Sequence, residues 1–280
     1  MTLPLEDLRV LAPTRMGENL VTTRQEKPHA FPTRRVAGFT IASTTPASAT
    51  AWLCNKAAAS GGQPIDVHLI NAYSIASAES DDALHEVFAG AGINLADGKP
   101  LSWLTTFGAN PLTQTRGPQL FTDVLDVGRV HGVTHFLLGS SEKTLARLHV
   151  ELYRRYPGVQ IVGAYSPPLR PLSYEERSRQ DAMIRSSGAG IVWVALGTPK
   201  QDFEAQRISR STKRITVAIG AAFDFVAGTQ REAPAWVRRL GMEWFYRLAN
   251  EPRRLGHRYL VGNLRFLYAV VRRRGVGLPR

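Results

Sequence analysis

Along residues 35–230, short apolar runs alternate with longer stretches whose apolar positions recur every three or four residues. Short apolar runs suit buried strands, and the longer periodic stretches suit helices that lay one face on a sheet. The pattern predicts strands at Ile65–Ile70, Ile93–Ala96, His135–Gly139, Val159–Gly163, Ile191–Gly197 and Ile215–Gly220, the last of the series. It predicts helices over Ser77–Ala89, Pro118–Arg129, Glu142–Tyr156, Tyr174–Ser187 and Gln201–Ser209. Ahead of these, Arg35–Ser43 (RVAGFTIAS) reads as a first strand or hairpin. Residues 1–34 are rich in Pro, Thr and Arg without a steady period, and read as a disordered leader. Strands alternating with helices of this length give an α/β fold: a Rossmann-like parallel sheet flanked by helices.

After Gly228 the pattern changes. Pro234 suits the first turn of a helix, and Val237, Leu240, Trp244 and Leu248 then mark an apolar face. Glu251-Pro252 interrupts it. A second helix is predicted from Leu255 to Arg273, with Leu260, Leu264, Leu267 and Val271 on one face. Arg258, Arg265 and Arg272 recur every seven residues and form a stripe on another. The chain thus divides into a core, residues 35–230, and a helical basic appendage, residues 231–280. Periodicity suits an interfacial membrane helix and a core-packing helix with a solvated basic side equally.

Charge sharpens this division. The formal net charge is +12, and residues 231–280 hold twelve Arg, no Lys and three Glu, a net of +9. A basic surface so confined seeks phosphates, on lipid headgroups, on nucleic acid or on a substrate. Cys54 is the one cysteine, so no disulfide forms within the chain, and it reads as a small buried hydrophobe. The N-terminus lacks the basic start and apolar run of a secretory signal. No apolar run approaches the roughly 18 residues that a membrane-spanning helix needs. The longest good candidate, Ile191–Leu196, reads as a buried strand.

Ligands of parallel sheets bind beyond the carboxyl ends of the strands. Every loop with distinctive chemistry falls there: Asp97-Gly98, Gly139-Ser140-Ser141, Gly163 to Pro168, Gly197 to Gln201, and Gly220 to Asp224. Neither glycine fingerprint for dinucleotides or P-loops occurs. Gly139-Ser140-Ser141 is either a phosphate cradle or an ordinary tight turn. Asp97 could deprotonate a sugar hydroxyl or simply make an Asp-Gly turn. No Asp-x-Asp occurs, so a leaving diphosphate would be met by Arg, Lys or backbone amides. His131 and His135 are four apart, but Gly132 and Val133 separate them and His135 opens an apolar strand, so no metal site is expected.

The linear order of these loops resembles the WecG/TagA/CpsF glycosyltransferases, glycosyltransferase family 26. The likeness spans roughly Arg35 to Phe266. It rests on Asn71 after a strand, Asp97-Gly98-Lys99-Pro100, Arg116-Gly117-Pro118, HFLLGSSEKT, RRYPGVQIVGAYSPP, LGTPKQDFEAQ, AIGAAFDFVAGTQREAPAW and GMEWFYRLANEPRRLGHRYL. The resemblance implies an inverting, metal-independent transfer without a cofactor, at the cytoplasmic face of the plasma membrane. The donor would be a UDP-sugar of N-acetylmannosamine, its uronic acid or glucose. The acceptor would be a polyprenyl-diphosphate-linked saccharide. Asp97 matches the general base, and Asn71 a substrate-contacting Asn. Arg116, Gly139, Gln201 and Asp224 match the donor pocket. Arg247, Arg254 and Arg258 match appendage Arg that reach the diphosphate. Leu69 departs from the family's frequent Thr, whose hydroxyl faces the sugar, so the donor need not be the usual one. Asp202 departs from Glu.

The implied partners are the donor, the acceptor and an anionic membrane surface, and a homo-oligomer is compatible with the sequence. Two rivals differ in class. A basic nucleic-acid-binding protein would show basic-aromatic alternation on a sheet, which is missing here, and the core is nearly neutral. A different nucleotide-binding α/β protein, or a non-catalytic relative, would keep the fold and lose the transfer.

Overall fold

The computed structural model describes residues 30–59, 62–250, 252–272 and 276–277. The expected leader thus falls, up to residue 29, outside the described residues. The first strand begins two residues before the predicted boundary, with Thr33 and Arg34. That strand, β1 (Thr33–Val36), turns into β2 (Phe39–Ala42) as an antiparallel hairpin. The turn residues Ala37 and Gly38 both take positive φ, 48° and 86°, as a two-residue hairpin turn requires.

The predicted strands appear as β3 (Ile65–Ile70), β4 (Ile93–Ala96), β5 (Thr134–Gly139), β6 (Gln160–Tyr165), β7 (Ile191–Ala195) and β8 (Ile215–Ala218). Among the described residues the sheet has nine strands in the order β6-β5-β7-β8-β3-β4-β2-β1-β9, with β9 (Val276–Gly277) at one edge. From β6 to β2 every pairing is parallel, while β1 is antiparallel to both β2 and β9. Ile215–Gly220 is therefore not the last strand, and the end of the appendage returns to the sheet edge.

Helices cover both faces. On one lie α1 (Pro46–Ala58), α5 (Gly117–Gly128), α6 (Glu142–Arg155) and α9 (Ala222–Val226), packed around Phe121, Trp193 and Phe223. On the other lie α2 (Ala72–Ala78), α3 (Asp82–Ala89), α7 (Tyr174–Ser186) and α8 (Lys200–Thr212). The single helix expected over Ser77–Ala89 is two, because Asp81 starts a new helix by accepting the Leu84 amide at 3.0 Å. Helix α1 escaped the pattern because Ala, Ser and Thr blur its apolar face, although Thr45 caps it and Pro46 opens it. The short α4 (Lys99–Leu104) and α9 hold too few residues to display a period.

The appendage comprises α10 (Ala235–Arg239), α11 (Glu243–Asn250) and α12 (Pro252–Arg272). The face predicted from Val237 through Leu248 is broken at Gly241, whose φ of 71° ends one helix before the next. Helix α12 docks on α2: Phe266 and Ala269 join the cluster of Ile75, Ala76 and Leu101. Its Leu264, Leu267, Tyr268 and Val271 stay exposed. Arg265 donates to Ser80 Oγ at 3.3 Å and Arg272 pairs with Glu79 at 3.6 Å, so part of the Arg stripe is held by the core.

Candidate active site

Helices after β3 and β8 leave on opposite faces of the sheet, since α2 and α9 pack in different clusters. Such a divergence opens a crevice at the carboxyl ends of the two strands. Register Ile70↔Ala96 puts Asn71 and Asp97 side by side, and the Asp97 amide donates to Ile70 O at 2.7 Å. A Cβ on Gly98, at φ 111°, would come to 3.6 Å from Asn71 Cβ. Asn71 caps α2, its Oδ1 accepting the Tyr73 and Ser74 amides at 3.0 and 3.1 Å, and among the described residues its NH2 group is left for a ligand. The Thr115 amide binds Ala96 O at 2.7 Å, bringing Arg116 beside the same strand end. The structure therefore gathers Asn71, Asp97 and Arg116.

Arg116, however, is engaged. Its guanidinium meets Glu232 at 2.6 Å and Glu243 at 3.1 Å. Burial opposes its charge, but the two carboxylates outweigh that and raise its pKa above the ordinary Arg value. In this state Arg116 fastens the appendage to the core instead of presenting an open guanidinium to a donor.

The second group lies beyond β5, β7 and β8. Gly139 has φ 117°, and a Cβ there would strike Ala195 O at 2.3 Å, so only glycine fits. The Ser140 amide is already bonded to Ala195 O at 3.1 Å. The cradle that remains is the first turn of α6 at Glu142 and Lys143, since the Thr144 amide donates to Ser141 Oγ at 3.1 Å. Asp224 Oδ1 accepts hydroxyls of Ser140, Thr144 and Thr229 at 3.2, 3.4 and 3.2 Å. Gln201 is 3 % exposed; its Oε1 accepts the amides of Gly197 and Gly220 at 3.1 and 3.0 Å. Both residues thus brace the loops that frame the crevice. The two groups meet at Gly117, where a Cβ would reach Ile219 O at 2.7 Å and Leu69 Cδ1 at 3.2 Å. Leu69 itself is a core residue packed beneath the start of α5.

Arg247, Arg254 and Arg258 belong to α11 and α12, and their side chains lie outside the described residues. His131 is exposed on a short turn while His135 is buried within β5, so they do not meet. Trp193 Nε1 donates to His135 Nδ1 at 3.2 Å, and burial pushes the His135 pKa down to about 3. Burial pushes the Cys54 thiol up to about 11, and it packs as a core side chain.

Sequence reasoning missed one polar cluster under the site. His68 is fully buried on β3, with Nδ1 3.1 Å from Asp202 and Nε2 3.0 Å from Asp66. Burial alone would lower its pKa, but the hydrogen bonds and charges of Asp202 and Asp66 raise it to about 9. A signal was present: Asp66 and His68 alternate with apolar residues inside a strand covered on both faces. The cluster ties β3, which ends at Asn71, to the first turn of α8, which carries Gln201.

Among the described residues no helix is long and apolar enough to cross a membrane. The pairing of carboxylate, carboxamide and helix amino ends at one crevice suits a sugar hydroxyl beside a phosphate. The model described as "Glycosyl transferase WecG/TagA/CpsF family" matches residues 34–277, and the chain belongs to this family of glycosyltransferases, which act in cell-surface polysaccharide synthesis.

Proposed function

We propose that the protein transfers a sugar from a UDP-sugar to a polyprenyl-diphosphate-linked saccharide, with inversion and without a metal. The observation that carries this reading is the adjacency of Asp97 and Asn71 at the crevice, with the braced loops of Gly139, Gln201 and Asp224 opposite. Asp97 takes the proton of an acceptor hydroxyl. The oxygen attacks the anomeric carbon from the face opposite the diphosphate, the bond to UDP breaks, and UDP leaves with the electron pair. Asn71 positions the sugar through its free NH2 group. The growing charge on the diphosphate is met by α6 amides and by Arg247, Arg254 and Arg258. Arg116 serves the donor by holding the appendage at the mouth of the crevice.

A polyprenyl acceptor stays in the bilayer, so the site must come to the membrane. Support for a peripheral seat on the inner leaflet lies in the exposed Leu264, Leu267, Tyr268 and Val271 beside the Arg-rich appendage, and in Trp103 and Phe107 of the adjoining core.

The test is UDP release from a panel of UDP-sugars with a short-chain polyprenyl-diphosphate saccharide in EDTA, comparing wild type with Asp97→Asn. Acceptor-dependent release that persists in EDTA and drops by about 10²-fold or more in the variant supports the reading. Release that requires a metal, or that Asp97→Asn leaves intact, overturns it.

A further inference from the structure

On the face covered by α7 and α8, beyond the carboxyl ends of β6 and β7, lies a cavity of about 460 Å³. That is within the roughly 300–1,000 Å³ of small-molecule sites. Its walls are apolar, built by Pro167, Leu169, Leu172, Leu196, Pro199 and Phe203. Two cations, Arg177 and Lys200, line it with them, and neither forms an ion pair among the described residues. Glu204 also lines it, but its carboxylate is held by Arg207 Nε at 3.0 Å. The last polar member is Gln180, 2 % exposed, whose Nε2 has no hydrogen-bond partner among the described residues. A buried amide donor left without an acceptor is unfavourable and marks a place where something else supplies one.

These features describe the ligand. The walls suit an apolar body, Arg177 and Lys200 suit negative charge at one end, and Gln180 suits an oxygen. The surroundings narrow it further. Lys200 precedes Gln201, which braces the loops of the candidate active site. Phe203 lines the cavity and also packs against the cluster that holds Phe266 and Ala269 of α12. Strands β7 and β6 stand three and five positions from β4 in the sheet, so the cavity lies about 14 to 24 Å from the end that carries Asp97 at ~4.8 Å per strand. The cavity therefore borders a donor loop at Lys200 and, through Phe203, the cluster that α12 joins.

We propose that this cavity seats the isoprenoid end of the acceptor. The prenyl units next to the diphosphate lie on Leu169, Leu172 and Phe203, and the phosphate oxygens face Lys200 and Arg177. This rests on the lipid-linked acceptor of the transferase reading.

The probe is farnesyl diphosphate, titrated into the full-length protein beside farnesol, inorganic pyrophosphate and UDP. Farnesyl diphosphate should bind at least about tenfold more tightly than pyrophosphate or farnesol. Leu169→Asp and Arg177→Glu should each weaken it roughly tenfold, with UDP affinity unchanged. Leu169 is wholly exposed, so its replacement spares the fold, and Gln180→Leu gives a second, apolar probe of the same site. In the transfer assay Leu169→Asp should raise the acceptor KM and leave the donor KM alone. Equal binding by the variants, or pyrophosphate binding as tightly as farnesyl diphosphate, overturns the assignment. Transfer that proceeds with an unchanged acceptor KM in Leu169→Asp also removes it and leaves the transferase standing. Selective farnesyl diphosphate binding without transfer removes the transferase reading and keeps a prenyl-phosphate site.

Discussion

The side-chain oxygen of Gln201 accepts the Gly220 amide at 3.0 Å, so one buried carboxamide joins the loop after β7 to the loop after β8. The same oxygen takes the Gly197 amide at 3.1 Å. Gln201→Leu leaves both amides without that acceptor, at a cost of about 1–3 kcal/mol. The melting temperature should fall and UDP affinity should drop by about tenfold. Gln201→Glu keeps an acceptor oxygen, so it should melt closer to wild type while still weakening UDP through its added negative charge. Thermal melts and UDP titrations of the two variants check this, and wild-type UDP affinity in Gln201→Leu would end the bracing role.

How much of this was legible beforehand follows from which forces are local. Five strands of the parallel core could be read because burial on both faces writes itself as a short apolar run, and the sixth, the exposed edge strand β6, was read between a helix ending at Pro157-Gly158 and the next loop. The loops at their carboxyl ends followed from that, and with them Asp97, Gly139, Gln201 and Asp224 as a set, while Asn71 came only from the resemblance. The partners of those side chains could not be read. Arg116 and Glu243 are 127 residues apart, and no spacing rule says which carboxylate will face a given guanidinium. Resemblance presents Gln201 and Asp224 as ligand-facing, whereas the fold spends their oxygens on loop amides and hydroxyls. Helix α1 and the return strand β9 went unseen for a different reason: small residues and a two-residue strand carry almost no periodic signal.

Gly139 offers a test of the tight turn after β5. Alanine there would meet Ala195 O at 2.3 Å and hold a φ of 117°. Both penalties act on the folded state, so Gly139→Ala should destabilise the protein by more than about 1 kcal/mol. The displaced turn also carries Ser140, which donates to Asp224 at 3.2 Å. UDP affinity should therefore fall together with the urea midpoint. A variant as stable as wild type would show that the turn can shift without loss.

His68 gives the fold a pH dependence of definite sign. Its pKa rises from 6.5 to about 9 in the folded protein. A pKa raised by folding stabilises fully below the unfolded value and loses that contribution as pH climbs through the folded one. The urea midpoint should therefore decline between pH 6.5 and about pH 9, and the decline should be shallower in His68→Asn. His68→Leu removes the cation from between two buried carboxylates and should cost about 3–5 kcal/mol. Asp202→Asn should cost less, because it removes a charge along with a partner. A midpoint flat across that pH window would mean that His68 is neutral in the folded state.

Arg116 makes the sharpest claim about the appendage, because its two carboxylate partners come from beyond residue 230. Glu232 precedes α10 and Glu243 opens α11. Arg116→Ala should loosen this attachment by about 2 kcal/mol, the scale of hydrogen bonds to charged groups. Helix α12 should stay docked, since Phe266 and Ala269 are buried against α2 without help from Arg116. Hydrogen exchange should accordingly speed up across α10 and α11 by roughly tenfold or more while α12 is little changed. Transfer should fall in parallel if the appendage arginines are brought to the diphosphate by this attachment. Arg116→Lys keeps the charge but cannot span both carboxylates with one planar fork, so it should lie between wild type and alanine. Uniform exchange rates in all three proteins would instead assign the seating of the appendage to α12 alone.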